Sequence, residues 1–142
     1  MLLGGSSILV LVLVGTILFW TFQASSDERE IQELLATRAR ALDQKDLPLY
    51  LACFSPDYRS GTRTYADLQA DASQWFAQFA TIHFAFQTVN IQFQGDQAIV
   101  ENTYKFSVTD TTGEPLRIAK RELLEIRHEH TGWKITRALA IQ

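Results

Sequence analysis

From Ile82 to the C-terminus the chain alternates apolar and polar residues, and each run is separated from the next by turn-forming residues. A period of two with no helical stretch between the runs fits an antiparallel meander, because parallel neighbours need long crossovers. Ala98, Val100, Asn102, Tyr104, Phe106 and Val108 share one phase, and Gly95-Asp96 before them suits a two-residue hairpin turn. Thr111-Thr112-Gly113 leads into a strand from Leu116 to His128, and Thr131-Gly132 leads into a last strand from Trp133 to Ile141. Ile82, Phe84 and Phe86 run in the opposite phase to Val89, Ile91 and Phe93. One face can bury both sets only if a bulge or bend lies near Gln87-Thr88, so a strongly bent sheet is expected.

The pattern before Ile82 is helical. Ile31, Leu34, Leu35, Ala39 and Leu42 recur at helical spacing after a Ser25–Glu28 capping pair, until Asp43-Gln44-Lys45-Asp46 interrupts them. Asp46 caps a short second helix with Pro48 in its first turn, stopped by Ser55-Pro56. Asp57-Tyr58-Arg59 reads as a short extended piece. Thr64 and Asp67 open a third helix, whose Leu68, Ala72, Trp75, Phe76 and Phe79 form an aromatic stripe best read as core packing.

The N-terminus is a different kind of segment. Leu2 to Phe22 carries no charge, and about 21 residues at about 1.5 Å each span roughly 31 Å, close to the hydrocarbon thickness of a bilayer. Residues 1–24 are therefore expected to form a single-pass transmembrane anchor contacting the lipid bilayer, with Phe19, Trp20 and Phe22 at the interface. The alternative is a secretory signal peptide cut near Ala24 to Ser26. It lacks a basic leading region, since nothing before Arg29 is basic, and a cut after Ala24 would leave bulky Phe22 two residues upstream. Arg29, Arg38 and Arg40 all follow the segment, which by the positive-inside rule puts the domain in the cytoplasm.

The remainder, residues 25–142, is one domain by size. Thirteen basic residues against sixteen acidic ones leave a net charge of −3, and the basic residues are scattered along the chain. Nucleic acid is excluded as an expected partner, because phosphate binding needs a positive stripe. The single cysteine, Cys53, allows neither an internal disulfide nor a thiolate zinc site, and no basic or histidine neighbour in sequence activates it.

Three helices followed by a bent antiparallel sheet resemble the nuclear-transport-factor-2-like and SnoaL-like superfamily, whose members also include ketosteroid-isomerase-like proteins. The resemblance is carried by Ile31 to Ala41 with Gln44 to Tyr50, by Phe54-Ser55-Pro56-Asp57-Tyr58, by Gly95 to Val100, and by Gly132-Trp133-Lys134-Ile135, and it covers nearly all of the chain after Ser25. It implies an α+β cone: three helices against a bent antiparallel sheet of four to six strands, here preceded by one transmembrane helix. It implies no single function, since the superfamily holds isomerases, cyclases, binding domains and assembly domains of membrane machines.

The strand phases select candidate residues. Setting Val108 opposite Leu116 places Phe106 opposite Ile118, Tyr104 opposite Lys120 and Asn102 opposite Glu122; the same phase on the last strand holds Trp133, Ile135, Arg137, Leu139 and Ile141. Asn102, Tyr104, Lys120, Glu122 and Arg137 are thus expected to converge inside the cone, with Tyr50, Tyr58 and Trp75 at its mouth. Two readings follow. Glu122 is a general base or acid, as a ketosteroid-isomerase-like reaction requires, or it forms a structural ion pair with Arg137 bridged by Asn102. The second is preferred, because a base held beside two cations is too weak near neutral pH.

The outer phase is expected to be the partner face, with Ile99, Ala119, Leu123, Ala138 and Ala140 as its apolar part. His128-Glu129-His130 resembles a metal clip but lacks a third ligand, so neither a metal nor another cofactor is expected. The resulting expectation is a non-catalytic, membrane-tethered accessory or assembly subunit, meeting other membrane-complex subunits or forming a homodimer through the sheet face. The alternative is a binder of a small hydrophobic molecule, or an isomerase or hydrolase, using the cone pocket.

Overall fold

In a computed structural model, residues 26–141 are described; the expected anchor and its junction at Ser25 lie outside them. Among the described residues no helix is long and apolar enough to cross a membrane. Helix α1 runs over 26–44, and the compact unit considered below comprises Glu33–Gln142. The C-terminus of α1 is fixed by two bonds, Lys45 N–H to Leu42 C=O at 3.1 Å and Asp46 N–H to Ala41 C=O at 2.9 Å. These close a Schellman motif, which requires a left-handed residue just past the helix. Lys45 takes that conformation, with φ 52°, where glycine is usual. Its side chain gives a reason for the choice: Nζ donates to the carbonyls of Phe79 and Ala80 at 3.0 and 3.2 Å, tying α1 to the end of the third helix.

Helix α2, Leu47–Ala52, is capped by Asp46, whose carboxylate accepts from Leu49 N–H at 3.0 Å. The hairpin β1, Arg59–Ser60, and β2, Arg63–Thr64, leads into α3, Tyr65–Gln78, through a capping box between Thr64 and Asp67. The main sheet holds β3, Thr81–Gln94, β4, Gln97–Thr109, β5, Pro115–Glu129, and β6, Gly132–Ile141, all antiparallel and in sequence order. The architecture is the α+β cone that the alternation and the resemblance imply.

The register expected for β4 and β5 holds throughout: Val108 faces Leu116, Phe106 faces Ile118, Tyr104 faces Lys120 and Asn102 faces Glu122. The bulge in β3 falls between Thr88 and Asn90, so Val89 is the extra residue and is exposed, while Ile91 and Phe93 pair with Val100 and Ala98. A second bulge interrupts β5 and β6, because Glu125 pairs with Arg137 and the next residue, Ile126, pairs with Ile135. Thr136 is therefore unpaired in the ladder, and its hydroxyl donates to the Glu125 carbonyl at 3.1 Å. This bulge reverses the phase of everything after it on β6.

The core lies between the helices and the inner face of the sheet. Val100, Leu124, Ile126 and Ile135 are fully buried, each contributing about 1.5–3 kcal/mol by removal from water. The free edge of β6 is covered by the segment after α2, with Ser55 N–H bonded to the Ile135 carbonyl and Ile135 N–H bonded to the Cys53 carbonyl, both at 2.9 Å. Helix α3 is less buried than its aromatic stripe implies. Only Ala72 is fully covered, and Trp75 is 36% exposed, because this helix roofs a cavity in place of packing on side chains.

Candidate functional site

The cavity under α3 has a volume of about 270 Å³. Its wall is mainly apolar and aromatic: Leu42 from α1, Tyr50 and Phe54 from the α2 region, Leu68 and Trp75 from α3, and Phe84, Phe106 and Ile118 from the sheet. Tyr50, Tyr58, Trp75, Tyr104 and Glu122, named from the sequence, all line it. Asn102 is fully buried beside Glu122.

Two of the residues expected there are elsewhere. Arg137 is exposed and pairs with Glu125 at 3.5 Å, because the Thr136 bulge turns it to the other face. The same reversal brings Ala138 to the cavity wall and removes it from the outer-face set, and Ala140 becomes the ladder partner of Glu122. Lys120 keeps its expected register opposite Tyr104 but is exposed and lines a separate open groove, since a lone ammonium in the cone would have no partner to offset its desolvation.

The counter-ion of Glu122 is Arg38. The guanidinium forks onto the carboxylate, with Nη2 bonded to Oε1 and Nη1 to Oε2 at 3.4 Å, and Asn102 Nδ2 donates to Oε1 at 3.1 Å. Arg38 is 4% exposed and Glu122 8%, so the pair is shielded from solvent. The other face of the guanidinium lies over the Phe84 ring at 5.0 Å, and Phe84 stacks with Tyr104 at 5.4 Å between centroids. Burial opposes the charge on Arg38, but the Glu122 carboxylate outweighs it and holds the guanidinium above its ordinary pKa. Burial pushes the Tyr50 phenol well above its ordinary value, so it stays protonated.

Sequence reasoning missed Arg38, although a signal was present. Ile31, Leu35, Arg38 and Leu42 lie on one helical stripe by spacing, so a single cation occupies an otherwise apolar row. Chemically the arrangement orients a carboxylate without freeing it. Both oxygens are engaged by Arg38, one also by Asn102, and among the described residues no second carboxylate or histidine lines the cavity.

The remaining candidates resolve into local structure. His128 packs edge-on against Trp133 at 5.1 Å, and Glu129 accepts from Ser55 Oγ at 2.9 Å and Arg127 Nη2 at 2.6 Å, so the clip's carboxylate is committed. Among the described residues no three metal-binding side chains converge. Cys53 is buried with its thiol against the carbonyls of Leu34 and Leu49, and burial pushes its pKa up, the reverse of nucleophile activation.

Comparison with solved structures gives the same fold. A nuclear transport factor 2-like superfamily protein from Salmonella enterica is 18% identical with a TM-score of 0.74, covering 83% of this chain and 92% of its own. A ketosteroid isomerase-like protein from Erwinia carotovora atroseptica is 21% identical with a TM-score of 0.62, covering 79% and 94%. A type 2 hexachlorocyclohexane dehydrochlorinase is 11% identical with a TM-score of 0.74, covering 85% and 88%. At these identities the likeness concerns the fold alone. No functionally curated protein matches the sequence. The model of the SnoaL-like domain matches residues 23–138, nearly the whole span of helices and sheet, and the chain belongs to the SnoaL-like domain family.

Proposed function

We propose that this SnoaL-like domain is a non-catalytic interaction module, held at a membrane by residues 1–24 and serving as an accessory or assembly subunit of a larger membrane complex. The observation that carries the non-catalytic part is the state of Glu122, the one carboxylate lining the cavity among the described residues. A general base needs a free lone pair within reach of its substrate, and a pKa near the working pH. Arg38 bonds both oxygens of this carboxylate and Asn102 bonds one of them, so its bonding capacity is taken up by the protein. The uncharged stretch from Leu2 to Phe22 supports the tether.

The test is Glu122→Gln, which keeps the shape of the side chain and removes its charge. A structural role predicts a lower melting temperature together with weaker co-isolation of any partner subunit. Normal folding and assembly with loss of a turnover would overturn the reading. A second reading, binding of a small apolar molecule, is favoured by one feature: the cavity is walled by aromatic rings, and Nε of its buried Arg38 has no hydrogen-bond acceptor among the described residues.

A further inference from the structure

The cavity under α3 is closed on the side of α1 and α2, where Arg38, Leu42 and Tyr50 are buried. Trp75 of α3 and Tyr104, Phe106 and Ile118 of the sheet are partly exposed, so the opening lies between α3 and the rungs of β4 and β5. This opening borders a free strand. Strand β6 pairs with β5 only from Arg121 onward, and among the described residues Leu116 to Lys120 have no neighbouring strand on that side.

Lys120 stands at the rim. Strand alternation puts it on the inner face between Ile118 and Glu122, and the ladder sets it opposite Tyr104; all three neighbours line the cavity. The residue is nonetheless exposed, so its stem starts on the wall and carries the ammonium out to water. Among the described residues no carboxylate lies within ion-pair distance of it, and Glu122 beside it is held by Arg38. Pro115 and Arg117 already guard the same edge against chance strand pairing, a role that does not require a cation on the cavity side.

These features set two requirements on an occupant. The rings of Tyr50, Phe54, Trp75, Phe84 and Phe106 favour a flat apolar body, and about 270 Å³ is small for a ligand pocket, which limits that body to one or two rings. An anionic group deep inside would lose its hydration next to the Glu122 carboxylate, whereas at the rim it keeps water and meets an unpaired ammonium.

We propose that the cavity takes a small aromatic carboxylic acid, ring first, with the carboxylate on Lys120. This occupant rests on the small-molecule reading of the cavity and names the chemistry of the ligand. An uncharged ring compound lacks the second contact, and an aromatic amine sets like charges together at the rim. Lys120 is thereby a specificity-determining residue.

The experiment titrates the full chain in a neutral detergent by calorimetry with naphthylacetate, with its uncharged isostere naphthylacetamide and with naphthylethylamine, against protein-free detergent as the blank. The acid is expected to bind saturably and about fivefold more tightly than the amide at about 0.05 M salt, the yield of a partly exposed ion pair, with the difference closing toward about 0.5 M. Lys120→Met, at an exposed position and checked for an unchanged melting curve, is expected to bring the acid down to the affinity of the amide and to leave the amide unchanged. Lys120→Glu is expected to favour the amine over the acid. Equal affinities of acid and amide for wild type, or a preference for the acid that survives in both folded variants, would overturn the proposal and leave the small-molecule reading standing. Acid binding that the amide does not displace would place the acid outside the cavity and overturn it as well. Saturable binding of neither acid nor amide up to about 1 mM would overturn the small-molecule reading together with the proposal.

Discussion

A carboxylate and a guanidinium held at 8% and 4% exposure lose most of their hydration, and the pair is stable only because each satisfies the other. Asn102 and the Phe84 ring complete the surroundings of the pair. Removing one partner leaves a buried charge alone, so Arg38→Met and Glu122→Gln should each cost about 3–5 kcal/mol in denaturant unfolding. The double variant should recover part of that loss, because the two residues form one unit. Arg137→Met is the discriminating control: its ion pair with Glu125 is exposed and loose, so the change should stay within about 0.5 kcal/mol. Additive losses at Arg38 and Glu122, or a large loss at Arg137, would contradict the assignment. A buried pair at Glu122 bridged by Asn102 follows from the strand phases, but the phases point to the wrong cation, since counting along β6 assumes an unbroken ladder.

Elements were legible where their periodicity was undisturbed. The rungs joining β4 and β5 follow from alternation alone, because a slip of one residue would expose Val100 and Val108. The bulge at Val89 was visible as a phase conflict between two apolar sets. The bulge at Thr136 was not, because Trp133, Ile135, Leu139 and Ile141 alternate as if nothing intervened; the bond from the Thr136 hydroxyl to the Glu125 carbonyl is a tertiary fact. The capping box of α3 was readable from Thr64 and Asp67, and it carries a pH signature. The Thr64 N–H at 2.8 Å, followed by its hydroxyl at 3.1 Å, holds the Asp67 carboxyl below its ordinary pKa. A depressed acid contributes stability that is complete above its unfolded pKa, about 3.9, and is lost as pH falls through the lower folded value. Asp67→Asn should therefore flatten the decline in melting temperature below about pH 4 relative to wild type. An unchanged acid limb would show that this cap is not coupled to folding.

For the whole molecule, the helices and sheet enclose a cavity whose charged pair is already satisfied. The fold was readable because patterning fixes it; the cation that meets Glu122 was not, because it comes from α1 and not from the sheet. The most direct test of a tethered interaction module is native mass spectrometry of the protein isolated in mild detergent from the membranes of the cells that make it. The account predicts an intact chain that retains peptides from before Ala24 and travels in fixed stoichiometry with at least one other membrane subunit. A mature N-terminus at Ser25 or Asp27 on a protein that travels alone would contradict it.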